Sequence, residues 1–393
     1  MKLTLITLVC VLSFAIQAKA NSIKNGKWQF HLSITSTHKI TVNALVSNEN
    51  LVLMNGEERI KLNPFTHQND TLVADFPLYH SSLFITFISK NECRGYWKNY
   101  FKKGNYRIPF VATRKHKKTK STNPSAFVGK WETTIQYSKP TRLIGDFKYS
   151  KGSLTGTFRS ETGDYRFLSG NVVDDNMYLS CFDGTHCYLF TAKLNSNDSL
   201  VGRFYSGNHY QTTWTAFKNP SATLHDPDSL TFLTNDSAIV FTLPSTNQKE
   251  YHFSSLSSNK PTIIQIFGSW CPNCTDETEF LKELNNTYHN KVNILGVGFE
   301  MGKTDKERMA HLIKYQKQLG INYPILLGGP AQKKEAAKLF PMLNHIMSFP
   351  TLIVINRKGE TVKVHTGFNG PATGEHYTKF KTDLVGLLNE LVQ

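Results

Sequence analysis

Two cysteines separated by two residues, Cys271 and Cys274, stand where one residue pattern gives way to another. Upstream, Pro261 to Phe267 is short, apolar and β-branched, and reads as a buried strand. Downstream, Thr275 to Leu284 reads as a helix with acids in its first turn. The thiols therefore sit at a strand–helix junction, where free backbone N–H groups and the positive end of the helix dipole favour thiolate over thiol. Cys271 is expected to be the more exposed and more acidic sulfur, and Cys274, inside the first turn, the buried one. A thiolate at Cys271 attacks a disulfide to give a mixed disulfide, which Cys274 then resolves.

Other uses of such a pair fit the sequence less well. A zinc site needs four ligands, and the chain holds a single C-x-x-C. Covalent haem attachment needs His after the second cysteine, where Thr275 stands. No metal and no cofactor is read from the sequence. A second motif lies downstream: Ser348-Phe349-Pro350-Thr351 precedes the apolar run Leu352 to Ile355 and the turn-forming Lys358-Gly359. Together the two motifs resemble the active site of the thioredoxin superfamily, and more closely its TlpA/ResA-like branch of extracytoplasmic thiol-disulfide oxidoreductases. The resemblance covers roughly the last 160 residues. It implies a redox-active disulfide Cys271–Cys274 and a cis peptide bond before Pro350. It also implies a substrate groove bordered by Trp270, Phe349 and Pro350, where the Phe349 backbone offers its N–H and C=O to an extended segment. A peroxiredoxin of the AhpC type is a poorer match, since Gly268 stands three residues before Cys271 where that family has Thr or Ser.

Glu277 lies three residues after Cys274 and four before Leu281, on the inward stripe of the helix formed by Leu281, Leu284 and Tyr288. Desolvation there would raise its pKa and let it exchange a proton with the resolving thiol. ResA-like proteins carry a glutamate with such a role at the matching position. Asp276 and Glu279 read instead as acids that complement the helix dipole.

With 393 residues the chain has room for two or three domains, and 39% hydrophobic residues suffice for packed cores. The net charge of +15 comes from lysines and arginines spread along the sequence. It reads as a basic soluble surface; no nucleic-acid-binding motif accompanies it. Lys2, the apolar run Leu3 to Ile16 and Ala18-Lys19-Ala20 form a secretory signal over 1–20, which removes Cys10 and leaves no transmembrane segment in the mature chain. Export to a bacterial periplasm or cell envelope follows.

Residues 21–218 read as all-β, in two repeats. Asn25-Gly26-Lys27-Trp28 is echoed by Val128-Gly129-Lys130-Trp131, and Arg107 to Arg114 by Gln211 to Lys218 at nearly the same offset. The G-x-W start resembles that of lipocalin-like barrels. Aromatic residues such as Tyr96, Trp97, Tyr100, Phe204, Tyr205 and Trp214 read as core. Cys181 and Cys187 flank a hairpin tip at Asp183-Gly184, so they are either a cross-strand disulfide or two buried thiols; Cys93 has no assigned partner.

The fold class is thus multidomain, with a C-terminal α/β thioredoxin-like fold after an all-β barrel- or sandwich-like region. The divisions are a signal over 1–20, a first β repeat over 21–114, a basic linker over 115–127 and a second repeat over 128–218. A second linker over 219–230 leads to the thioredoxin-like domain, 231–393. The TlpA/ResA-like resemblance implies reduction of protein disulfides, such as those of exported apocytochromes c, with a membrane thiol electron donor. The alternatives are a β protein that binds a ligand or partner with an accessory redox domain, or a peroxiredoxin-like antioxidant enzyme.

Overall fold

The computed structural model describes residues 23–114, 121–195 and 198–393. The segment read as a secretory signal and residues 115–120 of the basic linker lie outside these. Among the described residues no helix is long and apolar enough to cross a membrane.

The first β unit is one nine-stranded antiparallel sheet. From its N-terminal edge it runs Glu58–Lys61, Asn50–Asn55, Lys39–Ser47, Gly26–Ser33, then Arg107–Thr113, Glu92–Asn99, Ser81–Ser89, Thr71–Asp75 and Thr66–Gln68. Its strands alternate: in Lys39–Ser47 every second residue is buried, so one face is apolar and the other wet. The two outermost strands do not pair with each other, and the sheet is a half-barrel.

The second unit closes. Pro140–Ser150 pairs on one side with Gly129–Gln136 and on the other with Ser153–Ser160, completing a ring of eight strands; Gly163–Asp164 adds a short ninth strand outside the ring. The interior is filled by side chains such as Trp131, Phe147, Phe158, Phe190 and Trp214. The repeat seen in sequence is structural. Trp28 Nε1 donates to the Lys24 carbonyl and Trp131 Nε1 to the Phe127 carbonyl, each at 2.8 Å and each four residues back. The all-β region built from two repeats is thus a half-barrel sheet followed by an eight-stranded barrel.

The half-barrel completes its core on the barrel's outer wall. Phe182, Cys187, Leu189 and Tyr205 of the barrel belong to the apolar cluster built by Trp28, Phe30, Leu83 and Trp97. Asn55, buried, donates from Nδ2 to the Phe182 carbonyl (2.9 Å) and accepts from the Phe182 N–H (3.1 Å), copying a ladder pair with a side chain.

This packing also decides the Cys181–Cys187 alternative. Phe182 pairs with Cys187 and Cys181 with Tyr188, so the two cysteines face opposite sides of the barrel wall. Cys181 points into the barrel core and Cys187 into the half-barrel core. Both are free thiols, as is Cys93, and the cross-strand bridge is not formed. Burial raises all three thiols, Cys93 to about 12, which makes them inert.

The C-terminal unit is a five-stranded sheet in the order Ile325–Pro330, Asn293–Glu300, Thr262–Phe267, Thr351–Ile355, Thr361–Thr366; the first three are parallel and the last two antiparallel to their neighbours. Thr262–Phe267, buried at every residue, is the central strand. Helices Pro272–Thr287, Asp305–Leu319, Lys333–Leu339 and Glu375–Leu391 surround it, and the hairpin Val240–Pro244 with Glu250–Ser254 precedes it. Asp305–Leu319 is capped at both ends: Thr304 Oγ1 accepts from the Glu307 N–H at 3.2 Å, and Gly320 takes the left-handed conformation, φ 62°.

Candidate functional site

The central strand ends at Phe267, and three residues later the chain turns into helix Pro272–Thr287. Cys271 is the N-cap of that helix: its Sγ accepts from the Cys274 N–H at 3.2 Å. Pro272 follows at the first helical position, where its missing N–H costs nothing. Cys271 is 8% exposed and Cys274 fully buried. Burial raises the Cys274 thiol well above its ordinary value, with the adjacent Cys271 and the Glu277 charge adding to it.

The Phe349–Pro350 peptide bond is cis. The Phe349 carbonyl accepts from the Cys271 thiol (3.5 Å) and from Ser348 Oγ (3.1 Å). That carbonyl, expected to be offered to substrate, is therefore already turned onto the sulfur. The Phe349 ring stacks on Phe299 at 5.8 Å and meets Trp270 edge-on at 5.9 Å. Trp270 is held by a 3.0 Å bond from Nε1 to the Phe299 carbonyl.

Glu277 is buried beneath the cysteines, as its helical facing implied. Gln265 of the central strand donates from Nε2 to Glu277 Oε2 (2.8 Å) and to the Cys274 carbonyl (3.2 Å), tying the carboxyl to the turn that carries the resolving thiol. Burial pushes Glu277 up to about 8, so it is a neutral acid at pH 7. A second carboxyl, missed in the sequence, behaves alike. Glu300, at the end of the neighbouring strand, accepts from the Ser269 N–H (2.6 Å) and Ser269 Oγ (2.9 Å), and burial raises it to about 8. It holds the loop that presents Trp270 and Cys271. Its only local signal is a charged residue directly after an apolar run.

Asp276 is not a free dipole acid. It pairs with Arg166 of the barrel, whose other guanidinium nitrogen lies 2.7 Å from Glu58 of the half-barrel. Asp164 accepts from the Arg166 N–H at 2.7 Å. Burial opposes the charge on Arg166, but the carboxylates of Asp276 and Glu58 hold it in place. One guanidinium facing three acids leaves negative charge in excess, and burial together with Asp164 and Glu58 raises Asp276 to about 7. No local pattern marks Arg166; its partners lie 108 and 110 residues away in the chain.

The site therefore combines a nearly buried sulfur at the helix N-cap, a fully buried sulfur in the same helical turn and a buried acid bridged to that turn. Such a set supports thiol–disulfide exchange. Comparisons with known proteins agree. Residues 233–379 match the Redoxin family, a match that does not extend to the two β units. The thiol-disulfide oxidoreductase ResA of Bacillus subtilis is 29% identical over 127 residues, 32% of this chain and 64% of that protein. The thiol:disulfide interchange protein DsbE of Pasteurella multocida is 30% identical over 80 residues, 20% of this chain and 39% of that protein. The chain thus spans less than two thirds of either relative. Among solved structures, a thioredoxin-family thiol:disulfide interchange protein from Chlorobium tepidum TLS has 21% identity and TM-score 0.31, covering 41% of this chain and 99% of its own. A DsbF homologue from Corynebacterium diphtheriae has 17% identity and TM-score 0.32, covering 44% and 98%. The C-terminal part of the chain is a Redoxin domain, thioredoxin-like and related to the ResA and DsbE thiol-disulfide oxidoreductases.

Proposed function

We propose that the protein is an exported thiol-disulfide oxidoreductase that reduces disulfides in other proteins, with Cys271 as nucleophile and Cys274 as resolving thiol. The observation that carries this is the pair itself: one sulfur at the helix N-cap in a residue 8% exposed, the other fully buried three residues on. In the reductive direction the Cys271 thiolate attacks a substrate S–S bond. That bond breaks, a mixed disulfide forms, and the leaving sulfur takes up a proton. Cys274, losing its own proton, then attacks the Cys271 sulfur and releases the second substrate thiol. Two electrons and two protons pass to the substrate, and Cys271–Cys274 is left as a disulfide for an external dithiol to reduce. Glu277, raised to about 8 and bridged through Gln265 to the Cys274 turn, takes the Cys274 proton in its ionised form and, in its protonated form, gives it back in the reverse direction.

The pattern over 1–20 supports export, and the ResA and DsbE names support a place among interchange proteins. The wider reading is of a substrate such as an exported apocytochrome c and a membrane thiol donor. The test is dithiothreitol-driven reduction of a disulfide-bearing unfolded polypeptide. Cys271→Ala is expected to abolish it, and Cys274→Ala to accumulate mixed disulfides visible on non-reducing gels. Unchanged turnover in Cys271→Ala would reject the assignment.

A further inference from the structure

Cys271 does not open onto a bare surface. The barrel stands over it, and the space between is a pocket of about 480 Å³. One flank is closed by the barrel loop Ser160–Asp164. Asn273 Nδ2 donates to the Asp164 carbonyl (3.3 Å), Ser348 Oγ to the Thr162 carbonyl (3.2 Å), and the Gly370 N–H to Asp164 Oδ2 (2.6 Å). The approach is so close that Gly163 has no room for a Cβ beside Asn273, nor Gly367 beside the Thr162 backbone. This loop lies across the cysteine helix and the loops around Pro350.

The other wall is aromatic. Tyr137, Tyr165, Tyr188, Phe204 and Tyr210, all from the barrel, line the pocket opposite Cys271. The barrel interior is filled, so these rings are not the mouth of a hollow barrel; they are its end face. They form one contiguous set: Tyr165–Tyr188 at 5.5 Å, Tyr188–Phe204 at 5.4 Å, Tyr137–Tyr210 stacked at 6.0 Å. The Tyr137 and Tyr165 hydroxyls satisfy each other at 2.6 Å. No lysine, arginine or glutamate lines the pocket; its one aspartate, Asp164, is occupied by backbone N–H groups, and its two histidines have partners of their own, His186 the Asp183 carboxylate at 3.0 Å and His209 the Tyr106 hydroxyl at 3.2 Å.

We infer that this tyrosine-rich end face is the substrate-recognition wall of the redox site, and that it selects an extended, unfolded peptide segment with an aromatic side chain next to its half-cystine. The inference rests on the redox reading above. The volume is that of a drug-sized ligand, room for a few extended residues. A folded partner would need about 800 Å² of open surface on its side, and loop and barrel deny it that. Rings with no lysine, arginine or glutamate among them in the lining favour an uncharged aromatic group, by burial and by edge-to-face contact. The chemistry is the two-step exchange already given, with the peptide as disulfide and an added dithiol as final reductant.

The test uses the full mature chain, dithiothreitol as reductant, and two unstructured disulfide peptides that differ only in Phe or Ser beside the half-cystine. The Phe peptide is expected to show about ten-fold higher kcat/KM. In Tyr210→Ser, an exposed position, and in the double variant Tyr137→Ser/Tyr210→Ser, the ratio should fall below about three-fold, with the unfolding midpoint confirming an intact fold. Fusing the Phe peptide to a bulky folded protein should cost about ten-fold through a two-residue linker, and little through a twenty-residue one. Equal kcat/KM for the two peptides in the wild type, a ratio unmoved by the variants, or indifference to linker length would overturn the inference. 2-Hydroxyethyl disulfide separates the two failures: if the wild type reduces it but shows no peptide preference, the recognition wall is wrong and the redox reading stands. If it is inert to every disulfide, the redox reading itself has failed.

Discussion

Glu277 and Glu300 are carboxyls held neutral by burial on either side of the cysteine loop, each raised from 4.5 to about 8. Their titration has a definite sign. Between 4.5 and about 8 the folded chain keeps a proton that the unfolded chain has lost, so stability is full below 4.5 and falls as pH rises through the window. Each group contributes a slope of up to about 1.4 kcal/mol per pH unit. Urea unfolding between pH 5 and 8 should therefore show Glu277→Gln gaining on the wild type as pH rises; a constant difference would mean that Glu277 is ionised throughout. Glu277 was legible because helical spacing fixed its direction. Arg166 was not, because a guanidinium between two acids more than a hundred residues away leaves no local trace.

Among the elements, the contact between the half-barrel and helix Asp305–Leu319 carries its own pH dependence. His80 and His311 lie with ring centroids 5.4 Å apart, and Phe101 packs against both. Both histidines titrate below 6.5: burial is the main cause, with His311 and Lys314 acting on His80, and Lys314 on His311. Asp75 pulls His80 the other way, as do the Met301 carbonyl and Glu307 for His311. A folded value below the unfolded one means that the contact is intact above 6.5 and weakens as pH falls beneath it. Hydrogen-exchange protection in Asp305–Leu319, taken relative to the intrinsic amide rate at each pH, is expected to fall between pH 7 and 5.5 in the wild type and to change less in His80→Gln/His311→Gln. The elements themselves were readable where period and caps agree. Asp305–Leu319 is bounded by a Thr304 cap and by Gly320 in the left-handed conformation. The hairpin at Asp183-Gly184 was readable too, but not its register. The Phe182–Cys187 pairing leaves four residues in the loop, and a slip of one would have turned both cysteines to other faces.

At the scale of the molecule, sequence showed two β repeats and an α/β half but not that one repeat closes and the other stays open. Closure comes from Ser153–Ser160, which pairs with Pro140–Ser150 on one edge and with Leu168–Val173 on the other. The matching strand of the half-barrel, Asn50–Asn55, pairs with Lys39–Ser47 and Glu58–Lys61, and the far edges of that sheet never meet. Its core is finished instead by Phe182, Leu189 and Tyr205. A chain ending at residue 114 is thus expected to lack a cooperative unfolding transition and to bind an apolar dye, while one ending at residue 218 should unfold cooperatively. Calorimetry on the two fragments decides this, and a sharp transition in the shorter one would refute it. The dependence also sets an order in time. A chain that emerges from its N-terminus first has made its whole first sheet roughly seventy residues before the wall that covers it arrives, since Phe182 follows Thr113 by that distance. For that interval the growing chain carries an uncovered apolar surface, and a holding chaperone is the natural guardian of its passage.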